Sequence, residues 1–192
     1  VYILKETGEI VDNCQKRPQR LFEERELSVD ECAGYLQKAI NLLKSQTAAS
    51  GSSEGTLKVI ITVSPIRYAK YGYHGSQLSK ATLLLAADKL VKENPGVVSY
   101  FPAYEIMNDE LRDYRFYKED MLHPSEQAVE YIWERFRTTY FGKAAEQFLE
   151  DWRPIREALG HKPFHPESEE HQKFIARTEE KKRQFEEKYH LL

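Results

Sequence analysis

Asp120-Met121-Leu122-His123-Pro124-Ser125 puts a carboxylate three residues before a histidine, directly ahead of an amphipathic helical pattern. On a tight loop that spacing lets the carboxylate fold back onto the Nδ1–H of the imidazole. Such a contact fixes the tautomer, stabilises the imidazolium and leaves Nε2 free to take a proton from a serine hydroxyl. This is the acid–base half of a nucleophilic hydrolase site, and general-base action of that kind is worth about 10²–10⁴-fold in rate. Spacing alone favours a plainer reading, a helix-capping Asp and a surface His, because Asp-x-x-His arises often by chance. Position shifts the balance: the motif follows a long polar connection after a strand and precedes a helix, where an α/β hydrolase places its base. The other half, an activated serine with oxyanion donors, is not evident. Neither Gly75-Ser76 nor Ser79-Lys80 forms a nucleophile elbow, since neither serine lies in a Gly-x-Ser-x-Gly run.

Arg67, His74, Ser79 and Lys80 are the candidate substrate-binding residues. The three basic groups could hold an anionic or sugar substrate, and Ser79 and Lys80 could line a cleft from the first turns of a helix. A solvated helix entrance accounts for them equally well. His161, His165 and His171 are read as surface residues. Pro163 and Pro166 break any shared helical face, and no Cys or carboxylate set completes a metal site. No cofactor and no metal is expected.

The elements that must position these groups read as α/β. Val1 to Leu4 and Ile10-Val11 flank Thr7-Gly8, a hairpin pattern. Ser28-Val29-Asp30-Glu31 is a capping box, and Val29, Cys32, Leu36, Ile40 and Leu43 predict a helix over about 29–45. Ser45 to Gly55 reads as a surface loop. Leu57 to Val63 is a β-branched run whose near-continuous apolarity predicts a central parallel strand covered on both faces. A helix over about 76–94, with Leu78, Leu85 and Val91 among its apolar positions, ends at Pro95-Gly96. Val97 to Phe101 is the next strand, so the order strand–helix–strand implies a crossover in a parallel sheet. Residues 102–123 form a long charged connection. Pro124 suits the first position of a helix with Val129, Ile132, Trp133, Phe136 and Tyr140 as its stripe. From Asp151 onward the chain is helical and strongly charged.

Composition removes several function classes. The 192 residues carry 28 Lys+Arg against 31 Asp+Glu, a net charge of −3, so there is no electrostatic footprint for nucleic acid or acidic membranes. The longest dense apolar stretch, Ala81 to Ala87, is far too short to span a bilayer. Cys14 and Cys32 fit two reduced thiols in a cytoplasmic protein better than one disulfide. The opening Val1-Tyr2-Ile3-Leu4 has no Met and reads as mid-strand, so the chain is expected to be cut from a longer protein.

Thr62-Val63-Ser64-Pro65-Ile66-Arg67, Ser79-Lys80-Ala81-Thr82-Leu83-Leu84, Tyr100 to Met107 and Asp109 to Tyr117 ending in Asp120-Met121-Leu122-His123-Pro124 resemble the GSCFA domain family. Leu4 to Glu9 and Asn13-Cys14 also fit, and the resemblance is weakest after about residue 165. That family is similar to the SGNH, or GDSL-like, hydrolases. The resemblance implies a three-layer α/β/α fold with a mostly parallel sheet, and it matches Asp120 and His123 to the Asp-x-x-His block of the triad. No Gly-Ser-Cys-Phe motif and no Gly-x-Asn-Asp block occurs in this chain, so the nucleophile and its oxyanion donor are expected upstream of Val1.

The expectation is an α/β chain: residues 1–150 as the C-terminal portion of an SGNH-like domain truncated at its N-terminus, and 151–192 as a charged helical extension. The parent protein is expected to be a serine hydrolase acting on a small-molecule or carbohydrate ester, with no nucleic-acid or membrane partner. The isolated segment is expected to be inactive. The alternative is a non-catalytic α/β binding domain.

Overall fold

Tyr2–Leu4 (β1) and Glu9–Val11 (β2) pair as an antiparallel hairpin, Ile3 opposite Ile10, in the computed structural model, which describes residues 1–11, 14–49, 57–164 and 167–191. Gly8 closes the turn at φ +73°, donating its N–H to the Leu4 carbonyl at 2.7 Å. A third strand, Phe22–Glu24 (β3), lies on the other side of β1, giving the order β2-β1-β3. Its Phe-Glu-Glu sequence carries no β signal, and it forms because β1 offers it a free edge.

Val29–Ala49 (α1) starts as the capping box requires: Ser28 Oγ accepts from Glu31 N at 3.2 Å, and Glu31 returns a carboxylate oxygen to Ser28 N at 2.9 Å. The helix runs four residues past its expected end, through Ser45 to Ala49. The remainder of the expected loop, 50–55, lies outside the described residues.

Val59–Ile61 (β4) and Val98–Tyr100 (β5) pair in parallel, joined through Gly72–Glu93 (α2). This is the expected strand–helix–strand unit, and the chain is α/β with a small parallel sheet. The expected central strand is not covered on both faces among the described residues: Ile60 is exposed, and β5 is the neighbour of β4.

Ala33 and Ile40 of α1 meet Ala86 and Leu90 of α2 over Val98. Two alanines share the contact with the larger Ile40 and Leu90. Leu36 and Leu43, expected in the core, are exposed, as are Leu78 and Leu85. The buried Asn94 joins the same pair of helices. Its Nδ2 donates to Leu90 O at 3.0 Å and Gln37 Oε1 at 2.6 Å, and its Oδ1 accepts from Lys44 Nζ at 3.0 Å. The last turn of α2 thereby has its carbonyl satisfied away from water.

The antiparallel sheet is tied to the segment before α2 by Glu24, which accepts from Lys70 and from the Tyr71 hydroxyl, the latter at 2.8 Å. Lys70, followed by Tyr71, holds the Glu24 carboxyl down to about 2.

The connection after β5 is not an open loop. It folds as Ala103–Glu105 (α3), a wide helical turn over Ile106–Leu111 and a tight turn over Tyr114–Phe116. Met107 and Phe116 are buried from it against Ala128, which lies on the helix Glu126–Tyr140 (α4). Val129 and Trp133, expected in the stripe of α4, are exposed.

The chain divides into two compact units, Val1–Ile132 and Trp133–Leu192, and position 150 of the expected boundary falls inside the helix Lys143–Gly160 (α5). In the second unit, α5 and Glu169–Lys188 (α6) pack through Phe148, Trp152, Phe185 and Tyr189. Asp151 accepts from Lys188 at 2.5 Å and the Tyr189 hydroxyl at 2.6 Å. Cys14 and Cys32 are both unpaired. Among the described residues no helix is long and apolar enough to cross a membrane.

Leu90 is fully buried between α1, α2 and β5. Leu90→Ala should lower the unfolding free energy by about 2–5 kcal/mol, the range for a leucine truncated in a packed core. Urea denaturation measures it, and a loss no larger than that of an exposed leucine would contradict the assigned core.

Candidate active site

The backbone first makes a closed loop of the Asp-x-x-His segment. Tyr117 and Pro124 face each other in an isolated antiparallel bridge. Lys118 N donates to His123 O at 2.8 Å and Ser125 N to Phe116 O at 2.7 Å. Between these clamps Met121 takes φ +61°, a left-handed conformation that costs a side-chain-bearing residue about 1–2 kcal/mol.

Asp120 holds that loop from inside. Its Oδ1 accepts from the backbone N–H of Leu122 at 2.9 Å and of His123 at 3.0 Å. Its Oδ2 lies 2.5 Å from His123 Nδ1. The backbone N–H of His123, then that of Leu122, then the imidazole lower the Asp120 carboxyl from its ordinary 3.8 to about 2. An ionised carboxylate only accepts, so Nδ1 carries the proton and donates. In the neutral imidazole this leaves the lone pair on the second nitrogen, Nε2. It has no hydrogen-bond partner among the described residues, and the His123 side chain is 54 % exposed.

Asp120 does not cap the following helix. Ser125 does: its Oγ accepts from Ala128 N at 3.3 Å and its carbonyl from Val129 N at 3.0 Å. Pro124 therefore precedes the N-cap instead of opening the helix, because its strand-like bridge to Tyr117 closes the His123 loop.

Arg67 belongs to this site. Its backbone N–H donates to Leu122 O at 3.0 Å, and its Nη1 to Met121 O at 3.3 Å. The guanidinium carbon lies 5.0 Å from the ring centre of Tyr73, 5.8 Å from that of Tyr114 and 4.9 Å from that of Tyr117, all within cation–π range. The segment carrying Arg67 leaves the carboxyl end of β4 and is pinned on both sides by α2. Lys80 Nζ donates to Ser64 O at 2.6 Å, and the buried Ser76 hydroxyl accepts from Tyr68 N at 3.2 Å.

The other sequence candidates do not join Asp120, His123 and Arg67. Lys80 is buried, and burial pushes its ammonium pKa down. Its donor is committed to the Ser64 carbonyl with the Tyr104 ring nearby, so it supports the loop. His74 is exposed on the first turn of α2 with no hydrogen bond or ion pair among the described residues. Ser79 lines a separate 530 Å³ cavity with Glu24, Leu27, Tyr71, Leu78 and Thr82. Among the described residues no three of His, Cys, Asp and Glu stand close enough to hold a metal ion. His161 and His171 lie against Phe174, and His165 lies outside the described residues.

The residues missed by sequence reasoning are Tyr73, Tyr114 and Tyr117. Their signal was composition alone, a tyrosine-rich segment running into the first turn of α2 and Tyr-Arg-Phe-Tyr before the Asp120 loop, and neither spacing implies a common centre.

A family model described as "GSCFA family" matches residues 1–136, and one described as "GSCFA domain protein, C-terminal domain" matches residues 152–192. No curated protein and no solved structure matches the chain.

Because the Asp120 carboxyl is lowered in the folded chain, its contribution to stability is complete above about pH 4 and is lost as pH falls toward about 2. A carboxyl-carbon NMR titration should find its midpoint near 2, and a midpoint at the ordinary 3.8 would mean the Asp120 contacts do not persist in solution.

Proposed function

Since the chain belongs to the GSCFA family, we propose that it supplies the acid–base half of an SGNH-like serine hydrolase acting on a small-molecule or carbohydrate ester. The observation that carries this reading is the Asp120–His123 contact: a 2.5 Å bond at Nδ1, with Nε2 unpartnered among the described residues and the side chain half exposed. The serine and its oxyanion donors belong, in this proposal, to a part of the protein upstream of residue 1. The parallel pair β4 and β5 with α2 across it supports a place in a larger, mostly parallel sheet of three-layer α/β/α type. The unpaired Cys14 and Cys32 are consistent with a cytoplasmic setting.

The steps are those of acyl transfer. The serine hydroxyl attacks the ester carbonyl while His123 Nε2 takes its proton. The imidazolium, stabilised by the Asp120 carboxylate, then gives that proton to the departing alkoxide. Water repeats the sequence on the acyl-enzyme, releasing the acid and restoring the serine.

A non-catalytic binding domain is the second reading, favoured by the lack of a serine on Nε2 among the described residues. Hydrolysis of p-nitrophenyl acetate by the full-length protein separates the two. His123→Ala should reduce kcat by about 10²–10⁴-fold. Asp120→Asn keeps an oxygen for the two backbone N–H groups but offers Nδ1 a donor, so it should lower kcat with little change in KM. Undiminished hydrolysis by His123→Ala would leave the binding domain as the account of this fold.

A further inference from the structure

Arg67 is a half-buried cation that the protein does not neutralise. A guanidinium offers five N–H donors in a planar fork. Among the described residues its one side-chain hydrogen bond is from Nη1 to the Met121 carbonyl. Among the described residues no carboxylate comes within ion-pair distance of it. Tyr73, Tyr114 and Tyr117 supply ring faces, which stabilise the charge but leave the edge donors unspent. The three rings also remove water from part of the group, which makes an unpaired charge costly unless an anion completes it.

Arg25, in the same unit, shows the contrast. Arg25 meets Glu31 at 2.7 Å in an ordinary surface pair. Arg67 instead has its backbone and one side-chain donor bound to the loop that carries His123, and the rest of its fork open. A planar fork held rigidly against aromatic rings suits an anion with two oxygens.

We propose that Arg67 binds an anionic substituent of the substrate, so that the ester cleaved at His123 carries a second, negatively charged oxy-anion group, a carboxylate or a phosphate. This assignment rests on the hydrolase reading for its place in a reaction, but anion binding at Arg67 is measurable without it. Tyr73 and Tyr114, both largely exposed, would flank the bound group.

Two measurements on the full-length protein test the proposal. The first follows the Arg67 Nε–H resonance during titration with sodium glucuronate, glucose 6-phosphate and neutral glucose. Shifts with either anion and none with glucose support the proposal; glucuronate alone identifies a carboxylate site and glucose 6-phosphate alone a phosphate site. No shift with either anion, or an equal shift with glucose, overturns it. Raising the salt concentration should weaken the anion shifts.

The second compares kcat/KM for an anionic ester, monomethyl succinate's p-nitrophenyl analogue bearing a free carboxylate, with that for neutral p-nitrophenyl acetate. Arg67→Met should lower the anionic-to-neutral ratio by about tenfold or more, mostly through KM, as loss of a charge-assisted contact does. Arg67→Lys, which retains the charge without the fork, should fall between. An equal loss on both esters would make Arg67 a support of the His123 loop and overturn the assignment. If neither ester is cleaved by the unaltered protein, the hydrolase reading fails while the titration still decides the anion site.

Discussion

One carboxylate organises the candidate site. Asp120 accepts three N–H groups, two from the backbone of its own loop and one from the imidazole. The backbone bonds fix where Leu122 and His123 sit, and they do so while Met121 occupies a left-handed conformation. The imidazole bond fixes which nitrogen is basic. These tasks are usually set against each other as a structural Asp and a catalytic Asp, yet here they use different oxygens of one side chain. The same turn aims the Met121 and Leu122 carbonyls at Arg67, so the position of the guanidinium follows from Asp120 as well.

The loop needs something rigid to stand on. It comes from the carboxyl ends of two parallel strands, where the backbone must leave the sheet and where α/β folds concentrate polar groups. β4 delivers the Arg67 segment and β5 delivers the short helical turns that lead to Asp120. Helix α2 lies across both, and Lys80 and Ser76 on that helix fasten the Arg67 segment on either side. A buried lysine bonded only to a carbonyl is an expensive fastener, which implies that the segment's position matters more than the cost. The Leu90 and Asn94 packing that seats α2 on α1 is therefore two contacts removed from the chemistry.

The sequence disclosed the elements better than the faces. The capping box at Ser28, the hairpin at Thr7-Gly8 and the parallel unit from Leu57 to Phe101 were legible because each rests on short-range rules: a cap, a turn, a run of β-branched residues. Leu36, Leu78 and Val129 were misassigned to the core because periodicity ranks residues by size, whereas the α1–α2 seam and the Met107–Phe116 cluster also bury the small Ala33, Ala86 and Ala128. Strand β3 was invisible because its pairing depends on a neighbour's free edge. Asp120 and His123 were legible as a pair since both lie on one turn. The tyrosine ring about Arg67 was not, because its members come from two segments that only the tertiary fold unites.

The geometry also sets what the dyad can contribute. Proton transfer at Nε2 requires a fixed ring and a lone pair on that nitrogen, and the Asp120 contact at Nδ1 fixes the ring. Stabilising a developing oxyanion requires fixed donors in a site from which water is excluded, whereas His123 and Asp120 are both half open to solvent. An exposed Asp–His pair is screened, so its preorganisation favours the right tautomer and direction more than it lowers the barrier electrostatically. Covering it would turn the same 2.5 Å contact into a stronger bias, because the local dielectric falls as water leaves. On the proposed hydrolase reading, a substrate seated on the Arg67 guanidinium or a segment bearing the nucleophile would supply that cover, and either would strengthen the acid–base pair by the same act that supplies it with a reactant.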